Sequence, residues 1–209
     1  MKKILIKQEG WLRKPHYDFF SKFEKPFFGI TVSVDCTQAY RVAKDDKSSF
    51  FLYYLYRALK AANQIENFKY RIVDGQVFLF DSVNASPTIN RDNGTFGFAY
   101  LNYNEIEKIF VENANREIDM VRTTNNLLPA ISGQNVIHFS AIPWLDFTAV
   151  SHARSFSYPD SCPKISFGRV SESDGIRKMP LSVSVHHGLM DAYHVGLFVE
   201  RFQELLNEY

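Results

Sequence analysis

Leu181-Ser182-Val183-Ser184-Val185-His186-His187-Gly188-Leu189-Met190-Asp191-Ala192-Tyr193-His194-Val195-Gly196 changes its period halfway. As far as His186, apolar and polar residues alternate, the pattern of a strand with one buried face. From Ala192 to Asn207 the apolar positions recur at helical spacing, so an amphipathic helix follows. Two histidines stand where the strand gives way, and an aspartate follows the second by four residues. Asp191 falls at or near the helix start, where a carboxylate caps free backbone N–H groups. An imidazole ordinarily titrates near neutral pH. A histidine aimed rigidly from a strand end is therefore suited to take a proton and return it.

The rest of the chain interleaves the same two patterns. Trp11 to Phe23 contains a Pro suited to a helix start and apolar residues at helical spacing. Gly29 to Asp35 alternates and is β-branched, a strand. Asp45 to Ala62 begins with polar capping residues and is apolar on most sides, which predicts a deeply packed helix. Tyr70 to Phe80 is a hairpin about Asp74-Gly75. Pro87 to Asn90 and Gly94 to Tyr100 are strand candidates, and Asn104 to Arg122 spaces its apolar residues as one helical face. Gln134 to Ile142, Phe147 to Val150 and Ile165 to Val170 are read as strands. Strands and helices alternate, so the expected class is α/β or α+β, a mixed sheet covered by helices. There is no linker, charge block or repeat, and residues 1–209 are expected to form a single domain.

Composition narrows the function. Lys and Arg total 24 and Asp and Glu 23, a net charge of +1. That balance argues against a basic nucleic-acid surface and against a polybasic membrane patch. Phe (19) and Tyr (11) are abundant and suit both cores and apolar pockets. Cys36 and Cys162 form neither a disulfide framework nor a metal cluster, and they are read as reduced thiols of a cytoplasmic protein. The apolar run before Lys7 is too short for a signal peptide, and no run approaches a membrane span.

Among chemistries, His187 with Asp191 lacks the third ligand of a metal site. Gly-x-Ser-x-Gly, a P-loop and Gly-x-Gly-x-x-Gly are all absent. Cys36 and Cys162 offer a Cys–His alternative in no suggestive context. There remains a histidine base acting directly on a substrate hydroxyl, which requires a second substrate carrying an activated group.

The string Val185 to Gly196 resembles the active-site signature of the chloramphenicol acetyltransferase family, His-His-x-x-x-Asp-Gly followed by an aromatic and His. Trp11-Leu12-Arg13-Lys14-Pro15-His16-Tyr17, Asn67 to Gly75 with Asp81-Ser82-Val83, and Phe139-Ser140-Ala141-Ile142-Pro143-Trp144 resemble further family stretches in the same order. The resemblance implies the coenzyme-A-dependent acyltransferase fold. It also implies acetyl-CoA as co-substrate with no permanently bound cofactor, and a small hydroxyl-bearing acceptor, chloramphenicol in the family. His187 resembles the general base and Ser140 the hydroxyl that stabilises the tetrahedral oxyanion. Arg13 and Asp191 resemble a structural ion pair at the site. Phe19, Phe20, Phe96 and Ser166 fall at acceptor-side positions, and Trp144 falls near coenzyme A. The family assembles as a homotrimer with sites between subunits, and the same is expected here. Ala192 and Ile142 depart from the family pattern, and Val150 and His152 stand where larger apolar pocket residues are expected. A different hydroxyl or amine acceptor, or an idle member serving as a binding protein, therefore stay open.

Overall fold

A computed structural model of the chain describes residues 2–129, 133–153 and 160–208. In order the elements are β1 (Lys3–Leu5), α1 (Lys14–Phe20), β2 (Phe27–Asp35), α2 (Thr37–Asp45), α3 (Phe50–Asn63), β3 (Tyr70–Val73) and β4 (Gln76–Phe80). They continue with β5 (Asn84–Asn90), β6 (Phe96–Phe98), α4 (Glu107–Thr123), β7 (Val136–Ala141), β8 (Lys164–Phe167), β9 (Ser171–Ser173), β10 (Ile176–His186) and α5 (Ala192–Asn207).

The main sheet runs β2-β10-β8-β7-β5-β6, with β9 paired to β10. The β5–β7 and β7–β8 pairs are parallel and the others antiparallel, so the sheet is mixed as expected. A second, three-stranded sheet runs β1-β4-β3, its hairpin turning on Asp74 (φ 50°) and Gly75 (φ 74°). Two successive positive φ angles are what a type I′ hairpin turn requires. Among the described residues no helix is long and apolar enough to cross a membrane.

Alternation along the strands sorts the sheet into two faces. Phe139, Phe167, Leu181, Val183 and Val185 point to one face and are at most 1% exposed. Leu55 and Leu59 of α3 and Phe198 and Phe202 of α5 meet them there, and the Phe167 ring bridges Tyr54 at 4.6 Å and Phe202 at 5.9 Å. Truncating one such buried leucine to alanine costs about 2–5 kcal/mol, so this layer fixes the strand register from which the site is built. The opposite face carries Ser140, Ser166 and Ser182 side by side, through the pairs Ser140–Ser166 and Ser182–Ser166.

Two expectations need correction. The helix expected from Asp45 begins at Phe50, because Ser49 is its N-cap and its Oγ accepts the Leu52 N–H at 3.3 Å. A separate helix, α2, precedes it. Phe147 to Val150 is not a strand. It follows β7 through a tight turn (Leu145 N–H to the Ile142 carbonyl, 3.2 Å), and both edges of β7 are already taken by β5 and β8. On the far edge, Arg91 ties the end of α4 to the β5–β6 hairpin by donating to the carbonyls of Val121 (2.9 Å), Phe96 (2.9 Å) and Asn126 (2.6 Å).

Candidate active site

His187 sits one residue beyond β10, in the turn between that strand and α5. Its backbone N–H donates to the Pro26 carbonyl at 2.7 Å, and its own carbonyl accepts from Arg13 at 3.1 Å. The ring lies flat against Phe20, with centroids 3.9 Å apart and planes 7° from parallel, and Phe28 packs against it at 4.5 Å, tilted by 45°. Its Nδ1 is buried with no hydrogen-bond partner among the described residues. The neighbouring histidine serves the backbone instead. His186 Nδ1 accepts the Gly188 N–H at 3.1 Å and so shapes the turn. Glycine is favoured at 188, because a Cβ there would crowd the His186 ring at 3.1 Å and the Tyr17 backbone at 3.3 Å.

Arg13 and Asp191 are brought together. Arg13 Nη1 lies 2.9 Å from Asp191 Oδ2, so one guanidinium holds both the His187 carbonyl and the first residue before α5. Asp191 caps α5 by accepting the Tyr193 N–H at 3.1 Å, and the His194 ring nitrogen stands 2.8 Å from its Oδ1. Burial raises the Asp191 pKa, but the Arg13 hydrogen bond and the charge of His194 pull it down further, to about 2. Ala192 is simply the first helical residue, so alanine there carries no backbone strain.

Ser140 is not near this assembly within one chain. Ser140, Ser166 and Ser182 form a row across β7, β8 and β10, and His187 lies five residues beyond Ser182, one past the end of β10. Five residues along a strand and two strand spacings across the sheet separate the Ser140 and His187 Cα atoms by about 19 Å. They also belong to opposite faces. Phe28, against which His187 packs, pairs with Val185, whereas Ser140 shares the face of Ser182. Ser166 is fully buried beside Ser140, and its hydroxyl finds no partner among the described residues.

The other sequence-predicted residues divide between these two centres. Phe19 and Phe20 are on α1, and their rings form a partly exposed cluster with Phe23 next to His187. Phe96 projects from β6, half exposed and edge-on to Phe98. Trp144 is exposed on the turn that leaves β7. Close to that turn, a cleft of about 540 Å³ opens between α3, α4, β5 and the end of β7. Phe51, Tyr54, Ile118 and Pro143 give it apolar walls, and Asn90 and Arg122 are among its polar lining. Among the described residues no group of three His, Cys, Asp or Glu side chains could hold a metal ion.

Sequence reasoning did not find Phe28, Pro26 or Asn67, whose Nδ2 donates to the Leu189 carbonyl at 2.9 Å and steadies the same turn. It also missed His138 on β7 and Lys164 on β8, which the parallel register sets side by side. Val150 and His152 lie in the irregular segment after β7.

Comparison with known proteins covers nearly the whole chain. A sequence model of the family "Chloramphenicol acetyltransferase" matches residues 1–203. "Chloramphenicol acetyltransferase 3" of Escherichia coli is 25% identical over 201 residues, 95% of this chain and 94% of that protein. A chloramphenicol acetyltransferase of Clostridium perfringens is 27% identical over 212 residues, covering 100% of this chain and 97% of that one. A solved chloramphenicol acetyltransferase structure superposes with a TM-score of 0.91 at 32% identity, over 98% of this chain and 100% of its own. With this extent of match and the acyltransferase fold it describes, the chain belongs to the chloramphenicol acetyltransferase family.

Proposed function

We propose that this protein transfers an acetyl group from acetyl-CoA to a hydroxyl of chloramphenicol, with His187 of one copy and Ser140 of a second copy in each site. In this reaction His187 removes the hydroxyl proton and the oxygen attacks the thioester carbonyl. Ser140 donates a hydrogen bond to the resulting oxyanion. Collapse expels the coenzyme A thiolate, which takes the proton back from the imidazolium, so no acyl-enzyme forms. The observation that carries this reading is the mounting of His187. An imidazole packed against two aromatic rings, its Nδ1 buried, and fixed by its backbone to Pro26 and Arg13, has one ring nitrogen left for a substrate.

The separation of Ser140 from His187 supports a shared site. A reacting carbon must lie about 3 Å from both groups, and the two side chains together reach much less than the gap of about 19 Å. A closed ring of identical copies supplies the missing half of every site, and a homotrimer is the expected ring. The cleft beside Pro143 suits the donor, since its apolar walls fit a pantetheine arm and Arg122 offers a cation to a phosphate. Trp144 stands at the same end of β7.

Thiol release from acetyl-CoA, followed with and without chloramphenicol, tests the reading. Release should require the antibiotic. His187→Ala should lower it by several orders of magnitude while acetyl-CoA still binds, and Ser140→Ala by about a hundredfold. Turnover retained in His187→Ala rejects the mechanism. Light scattering should give three times the chain mass, and a monomer rejects the shared site.

A further inference from the structure

β7 and β8 carry a polar row that the acyl-transfer chemistry does not use. His138 precedes Ser140 by two residues and so shares its face of the sheet. Parallel register sets His138 beside Lys164 and Ser140 beside Ser166, which makes a two-by-two patch. The two halves of this patch are about 7 Å apart along the strands. Lys164 is buried and ion-paired with Asp160. It also donates to the Cys162 carbonyl at 3.2 Å and stands 4.8 Å above the Phe27 ring. Nearby, the fully buried Arg71 is spent on the backbone carbonyls of Phe68, Tyr70, Gln134 and Val136. Burying such charges costs several kcal/mol per ion, and apolar side chains of similar size usually serve a fold as well. Stability alone therefore does not account for a lysine and a histidine beside Ser140.

The cleft proposed for the donor lies at the other end of β7, past Ala141 and Pro143. An acceptor whose hydroxyl reacts at Ser140 then has the His138 and Lys164 end to lie against. We infer that His138 and the Lys164–Asp160 pair form the acceptor-selecting wall, and that the preferred acceptor turns a hydrogen-bond-accepting group, not an apolar ring, towards them. This inference rests on Ser140 as the oxyanion residue.

The test compares equilibrium binding of chloramphenicol with that of its analogue in which a methylsulfonyl group, a stronger hydrogen-bond acceptor, replaces the nitro group. The proteins are the wild type, His138→Leu, and Lys164→Met combined with Asp160→Asn so that no partner is left charged. His138→Asn serves as the conservative control. The ratio of the two Kd values should move at least about fivefold towards chloramphenicol in both apolar variants and stay within about twofold in His138→Asn. The same ratio in all four proteins, or binding of neither compound by the wild type, overturns the wall. Thiol release is followed in parallel. A shifted ratio without acceptor-dependent release leaves the wall standing and overturns only the catalytic reading. Should Leu not fold at position 138, as judged by thermal melting, the Lys164 and Asp160 variant decides alone.

Discussion

Mixing two inactive variants should restore activity. His187→Ala keeps Ser140, and Ser140→Ala keeps His187. The register of β7, β8 and β10 sets Ser140 beside Ser182, five residues before His187, so the two Cα atoms are about 19 Å apart, and His187 packs against Phe28 of the opposite face. In the proposed shared site, His187 of one copy works with Ser140 of its neighbour around a closed ring. In rings assembled at random from equal amounts of the two variants, about one site in four receives both intact residues. The variants are purified separately, unfolded, mixed, refolded together and assayed for chloramphenicol-dependent thiol release. Activity should return to about a quarter of the wild-type value per site, far above the residue left in either variant alone. Refolding each variant by itself and mixing afterwards should restore much less, unless copies exchange. Co-refolded mixtures no more active than the mean of the two variants refute the split site, because residues of one chain cannot complement across a mixture.

Three other changes have calculable consequences. Arg13→Ala leaves Asp191 without its guanidinium and frees the His187 carbonyl. With Asp191 about one-third exposed, the expected loss is on the order of 2 kcal/mol, read as a lower Tm together with a lower kcat. Burial, and then the nearby Lys164, lower the His138 pKa from 6.5 to about 4. The unfolded chain therefore binds the extra proton between these values. Stability is whole above pH 6.5 and falls, by at most about 3 kcal/mol, as pH drops towards 4, and His138→Asn should flatten that part of the stability curve. Gly97→Ala would place a Cβ 2.3 Å from Arg91 Nη2 and 2.8 Å from Val121 Cγ1. Arg91 is held by three carbonyls and cannot step aside, so a loss of about 1–3 kcal/mol is expected, and an unchanged denaturant midpoint would contradict it.

Much of the fold is legible where one face of an element is buried along its whole length. β10 and α5 are the clearest cases, because alternation gives way to a 3.6-residue period at His187. The Asp74-Gly75 turn is equally plain, since few residue pairs accept two positive φ angles. α2 was not legible: its N-cap, Cys36, makes no side-chain capping bond, and the helix carries little apolar surface. Phe147 to Val150 has strand composition, but a strand also needs a free edge, and that is a property of the sheet. The site divides in the same way. His187, Arg13 and Asp191 could be grouped from two short stretches of sequence. That Ser140 stands far from His187, and that Lys164 stands beside His138, depend on register. His138 and Lys164 are 26 positions apart in sequence and adjacent in the sheet.

The stacked pair of Phe20 and His187 bears on where rotational entropy is lost. An exposed imidazole turns about two side-chain torsions, and a base must stop turning before it can be aligned with an O–H bond. Here α1 lays a phenyl ring flat on the imidazole and β2 packs a second, tilted ring against it. That freedom is removed once, when the protein folds, and does not have to be removed again each time an acceptor arrives. The cluster of Phe19, Phe20 and Phe23 thereby becomes an orienting element for a group it does not chemically assist. Loosening it should show first as a less favourable activation entropy, with the activation enthalpy almost unmoved.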